Sequence, residues 1–170
     1  MRVSPIILVT SLFGYWLSAT AQTQPEPGAD FGFRFEAVCC LTEKFDTFSG
    51  EFTEDLGGEP ARSATARFSL TDSQMRAVYQ AIENVRFFDL PPVFNGVPPG
   101  LGEVWTIVPA NTYRLEVRNG GVTHSVLWRD AYNPTTKEAD TLRALFSMIV
   151  TFIHERPEFE RLPRPLGGCE

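Results

Sequence analysis

Hydrophobic and polar positions alternate in several stretches. Phe31, Phe33, Phe35, Ala37 and Cys39 fall on one side of an extended segment, with Gly32, Arg34, Glu36 and Val38 on the other. A period of two with aromatics on one face predicts a half-buried strand. Residues 45–52 (FDTFSGEF) predict a second strand, 54–60 (EDLGGEP) a turn, and Ala64, Ala66, Phe68 and Leu70 a third. The second and third strands are expected to form an antiparallel hairpin. Further on, Tyr113, Leu115 and Val117 alternate up to Asn119-Gly120, and Val122, His124, Val126 and Trp128 alternate after it. Asn-Gly suits the positive φ angles of a type I′ turn. The expected register pairs Arg118 with Gly121 and faces Leu115 toward His124. Residues 104–108 (VWTIV) predict a short strand stopped by Pro109.

Between these stretches the period lengthens. Thr71-Asp72-Ser73-Gln74 fits a capping box, and Met75, Val78, Tyr79, Ile82 and Val85 follow at helical spacing. Phe87 to Pro92 ends this helix, because Pro91 disfavours helix at Leu90. A second helix is expected from the segment 133–138, with Pro134 suited to the first turn or Thr135 and Glu138 as a capping box. Leu142, Leu145, Phe146, Ile149, Phe152 and Ile153 give it an apolar stripe, ending near Glu155. The order β-β-β-α-(β)-β-β-α predicts an α+β domain. Its expected architecture is an antiparallel sheet built from hairpins with two helices packed on one face. The domain spans 31–156, after a flexible lead-in at 22–30 and before a Pro/Gly-rich tail at 157–170.

The first 21 residues differ from the rest. Arg2, an uncharged, mostly apolar run from Ser4 to Leu17, and Ala19-Thr20-Ala21 match a cleavable signal peptide. The run is shorter than the roughly 20 residues a bilayer span needs, and no later stretch qualifies. The expected location is extracytoplasmic, periplasmic or secreted. Removing the leader takes 15 basic residues to 14 against 21 acidic ones, a net charge of −7. Such a chain is repelled by phosphates, so nucleic acid is not an expected partner.

Residues 68–72 (FSLTD), opening a helix that closes in 85–91 (VRFFDLP), resemble the middle of small exported bacterial domains of unknown function. Residues 113–121 (YRLEVRNGG), 126–128 (VLW) and a Pro-started helix with Leu142 resemble their second half. The resemblance covers residues 31–155. It implies export and a hairpin-helix-hairpin-helix fold, and it lends no catalytic residues.

Three cysteines remain, Cys39, Cys40 and Cys169. An oxidising compartment favours pairing. Cys40 with Cys169 is the expected disulfide, since Cys40 points away from the aromatic face of its strand; Cys39 with Cys169 and a vicinal Cys39–Cys40 bridge are the alternatives. There is no C-x-x-C, and only two histidines are present, so no metal site or cofactor is expected. His124 reads as a partly buried sheet residue and His154 as a helix-terminal cation. The acidic stretch 54–59 lacks EF-hand alternation and reads as a solvated turn. Glu36, Glu103, Glu116 and Asp130 offer carboxylates but no marked pair, and no G-x-S-x-G elbow presents a serine. Trp105, Trp128, Arg129 and Tyr132, beside the loop 91–103, are the candidate binding patch; Arg, Trp and Tyr commonly anchor interfaces. The alternative for both tryptophans is core packing beside Tyr113. The expected function is non-enzymatic: binding a protein, peptide or envelope component. A small secreted hydrolase and a structural subunit of an envelope complex are the alternatives. Oligomeric state is not legible.

Overall fold

The structure is a computed structural model and describes residues 26–100 and 103–166. The leader at 1–21 and Cys169, with its expected pairing, lie outside the described residues. Seven strands form one open sheet: β1 (Gly32–Val38), β2 (Thr42–Asp46), β3 (Glu51–Gly57), β4 (Arg62–Arg67), β5 (Val93–Phe94), β6 (Trp105–Asn119) and β7 (Val122–Asn133). Their order across the sheet is β4-β3-β2-β1-β6-β7-β5. All neighbours run antiparallel except β5, which lies parallel to β7. The helices are α1 (Asp72–Asn84), α2 (Lys137–His154) and the short α3 (Pro157–Glu160).

Register explains the core. Phe52 stands opposite Phe45, Phe45 opposite Phe35, Phe35 opposite Leu115, and Leu115 opposite Val126. Directly opposed residues share a face, so one face of four consecutive pairings is apolar. Those side chains form one buried cluster with Val78 and Ile82 of α1 and Leu142, Leu145, Phe146 and Ile149 of α2. The opposite face carries the intervening residues as cross-strand ion pairs: Arg34 with Asp46 at 3.0 Å and Glu116 at 2.8 Å, and Lys44 with Glu36 at 3.3 Å.

The starts of α1 and α2 are each capped by threonine. Gln74 N donates to Thr71 Oγ1 at 3.2 Å and Thr71 N to Gln74 Oε1 at 2.9 Å, the expected reciprocal box. The second helix begins at Lys137, three residues past Pro134: Thr136 is its N-cap, with Ala139 N donating to Thr136 Oγ1 at 3.1 Å.

Several expectations need correction. The segment 45–52 is not one strand. Residues 47–50 turn between β2 and β3, with Gly50 at φ 68°, a conformation glycine adopts without Cβ strain. β3 then runs through Gly57, so the acidic stretch 54–59 begins inside a strand rather than in a solvated turn. β6 does not stop at Pro109; it continues for 15 residues, with a register shift between Thr106 and Asn111. The β6–β7 turn centres on Gly120-Gly121, so Val117, not Leu115, opposes His124. Glycines at φ 58° and 77° fill the turn, and the Asp30 carboxylate accepts from Gly120 N at 2.7 Å and Gly121 N at 2.9 Å. The slip is by two residues, which preserves the apolar face. The described part of the lead-in touches the hairpin. Gly28 N donates to Asn119 Oδ1 at 2.9 Å, and Asp30 clasps the hairpin tip. The tail also returns to the sheet: Phe159 packs edge-on against Phe52, and Leu166 N donates to the Leu56 carbonyl at 2.9 Å.

Candidate functional site

The four residues of the expected patch do not converge. Trp128 is 1% exposed and surrounded by Phe94, Tyr113 and Phe146, with the Arg143 guanidinium 5.4 Å above its ring. Its parity on β7 matches Val126, which dictates burial. Arg129 is exposed and opposite Thr112, one position out of phase with the core residues, so it belongs to the charged face. Trp105 and Tyr132 are neighbours in register, paired with Asn133 and Thr106 respectively, at the far end of the β6–β7 hairpin.

That end forms an arm. β1 accompanies β6 only as far as the Val38–Thr112 pair. Beyond it, among the described residues, β6 has no strand on its β1 side. Residues 107–110 lie within the shifted register and pair with neither neighbour. The arm is apolar yet uncovered: Trp105 is 71% exposed, Ile107 46% and Val108 80%. From Val104 to Tyr113 the sequence has no charged residue. An uncharged, apolar strand with an open edge is what folded proteins ordinarily blunt with charge or cover.

A second feature lies in line with Tyr113 across the sheet, through the Tyr113–Ala37, Ala37–Glu43 and Glu43–Glu54 pairs, beside the base of the arm. Glu43 and Glu54 stand opposite each other on β2 and β3, on the same face as Phe45 and Phe52. Glu54 is only 7% exposed, and its carboxylate oxygens are not among the buried side-chain atoms that lack a hydrogen-bond partner. Burial pushes its carboxyl pKa up, the Glu43 carboxylate adds to the shift, and the nearby His154 and Arg164 side chains oppose it. His154, in the last turn of α2, points its Nε2 at both Glu43 oxygens, 3.2 Å from each, and stacks on Phe159 at 4.2 Å. The helix-terminal position was readable; this partner was not. Two cavities of about 330 and 360 Å³ meet here and share Glu54, His154 and Pro165. Sequence reasoning missed the site because the stretch 54–59 looks like a turn. The available signal was parity: Phe52, Glu54 and Leu56 alternate on one face.

The remaining candidates have structural partners. His124 Nε2 donates to the Leu90 carbonyl at 2.9 Å, and the ring sits edge-on to Phe87. Asp130 receives a bidentate contact from Arg143, at 2.7 and 2.8 Å, tying β7 to α2. Glu36 and Glu116 belong to the ion pairs of the charged face. Cys39 and Cys40 occupy the bend after β1, beside the larger cavity. No group of three His, Cys, Asp or Glu side chains among the described residues is arranged to hold a metal ion. No helix among the described residues is long and apolar enough to cross a membrane.

No protein-family model matches the chain, and no curated protein does.

Proposed function

We propose that this chain is an exported, extracytoplasmic binding domain that recognises an extended segment of a protein partner along the β6 arm. The observation that carries the reading is the exposure of Trp105, Ile107 and Val108 on a strand whose edge is open. An extended segment laid beside β6 takes up unpaired backbone groups, while Trp105 and Val108 supply apolar contact; strand addition is a recurring mode of peptide recognition. The absence of charge between Val104 and Tyr113 favours an apolar or neutral partner segment. The rest of this acidic chain discourages non-specific association with other acidic surfaces. The partner's position in the envelope or outside the cell follows from the leader-like residues 1–21. The frame holding the arm is the antiparallel sheet with α1 and α2 both on its apolar face.

The test compares the mature chain with its Trp105→Ser/Val108→Asp variant as baits in an envelope extract, using Arg34→Ala on the charged face as control. A partner retained by wild type and Arg34→Ala but lost by the double variant is the expected result. Equal recovery by all three baits refutes the arm as the binding surface.

A further inference from the structure

We infer that Asn95 is a modification site, where the folded protein slowly deamidates through a succinimide, and that the fold shields the other Asn-Gly pair, Asn119-Gly120. The inference does not rest on the arm. The sequence holds two Asn-Gly pairs, at 95–96 and 119–120. Asparagine is among the thermolabile residues, and a following glycine leaves its backbone nitrogen uncrowded by a side chain. At such a pair the glycine nitrogen gives its proton to hydroxide and attacks the asparagine Cγ. An N–Cγ bond forms, the Cγ–Nδ2 bond breaks, and Nδ2 takes a proton from water and leaves as ammonia. Water then opens the five-membered imide. Breaking the new N–Cγ bond leaves aspartate; breaking the original peptide bond leaves isoaspartate, whose backbone is longer by one methylene. Nothing is oxidised or reduced.

The two pairs sit in different surroundings. Asn119 Oδ1 accepts from Gly28 N at 2.9 Å, which holds that side chain against the lead-in. Gly120 N, the attacking atom at this pair, donates to the Asp30 carboxylate at 2.7 Å. A negative charge so close disfavours the amide anion that attack requires. Asn95 is exposed, in the irregular segment after β5, and Gly96 beside it is buried at φ 69°. Gly96 engages its surroundings through its carbonyl, which accepts at 2.9 Å from the backbone N of Thr136, the N-cap residue of α2. The product has consequences because this seat is tight: a Cβ at position 96 would stand 3.1 Å from Trp128 Nε1 and 3.2 Å from Ala139 Cβ. Close-packed surroundings do not absorb an added methylene without strain. Isoaspartate at 95 therefore displaces Gly96 and loosens both the start of α2 and the packing over Trp128.

Ageing the purified mature chain near pH 8 and 37 °C tests this, with peptide mapping to follow the amide-to-acid mass gain at each asparagine. In the folded chain Asn95 is expected to convert at least tenfold faster than Asn119. In the guanidinium-unfolded chain the two rates are expected within threefold of each other, because both surroundings are gone. Aged wild type is expected to melt roughly 3 °C or more below fresh protein, and aged Asn95→Gln within about 1 °C of its own fresh sample. No conversion at Asn95, conversion at Asn119 as fast as at Asn95 in the folded chain, the same rate ratio in folded and unfolded chains, or an equal fall in Tm for Asn95→Gln each overturns the inference.

Discussion

Replacing Arg143 by Met keeps most of the side chain's hydrocarbon stem but removes the guanidinium that joins β7 to α2. Asp130 is 10% exposed and receives two bonds from that guanidinium, at 2.7 and 2.8 Å; Arg143 itself is 36% exposed. Orphaning a fully buried charge costs about 3–5 kcal/mol. Because the arginine side is partly wet, the figure is discounted for solvent screening to about 2–3 kcal/mol. The guanidinium also lies 5.4 Å over the Trp128 ring, a contact worth about 0.5–1 kcal/mol at a partly exposed site and included in that range. For a domain of this size about 1 kcal/mol moves Tm by roughly 2–4 °C, so the loss is roughly 4–12 °C. Urea melts and calorimetry of wild type, Arg143→Met, Asp130→Leu and the double variant form a cycle. The double variant is expected within about 1 kcal/mol of wild type, because it leaves no unpaired buried charge; Asp140, which also loses Arg143, is exposed. An Arg143→Met protein within about 0.5 kcal/mol of wild type refutes the view that this pair fastens the helix to the sheet.

Trp128→Ala is expected to cost about 3–5 kcal/mol and Trp105→Ser less than about 0.5 kcal/mol, since one tryptophan is buried and the other exposed; urea unfolding separates them, and similar losses contradict the placement. Glu54→Gln is expected to stabilise the domain at neutral pH. A carboxyl whose folded pKa is raised contributes stability below its unfolded pKa, near 4.5, and loses it as pH rises through the folded value. The Tm advantage of Glu54→Gln should therefore shrink from pH 7.5 toward pH 4, and an advantage independent of pH refutes it. Backbone bonds from Gly121 and Gly120 hold Asp30 below the usual carboxylate range. Its clasp is thus present above the unfolded pKa, near 3.8, and is lost as pH falls through the lower folded value. Asp30→Ala should speed hydrogen exchange at Gly120 and Gly121, and unchanged protection means the clasp does not hold the turn.

The parts of the fold written locally were legible. The Thr71 box, the Phe33/Phe35 alternation and the apolar face of the long hairpin each rest on residues within one turn or one strand of each other. What escaped depends on distant partners. The β6–β7 register is set partly by Asp30, some ninety residues away from the glycines it caps. The split at 47–50 was hidden because Phe45, Phe48 and Phe52 read as one apolar stretch, whereas Thr47 Oγ1 donates back to the Phe33 carbonyl at 2.9 Å. At the candidate sites, Trp105 and Trp128 look alike in composition and differ only by register beyond a proline. Glu54 was assigned to a turn by its glycine neighbours, although its parity with Phe52 pointed inward.

The most direct test of the binding arm is site-specific photo-crosslinking in the native envelope, comparing a probe at position 107 with one at position 53 on the charged face. The account predicts a discrete protein adduct from position 107 and none from position 53. A discrete adduct from position 53, with none from 107, contradicts it.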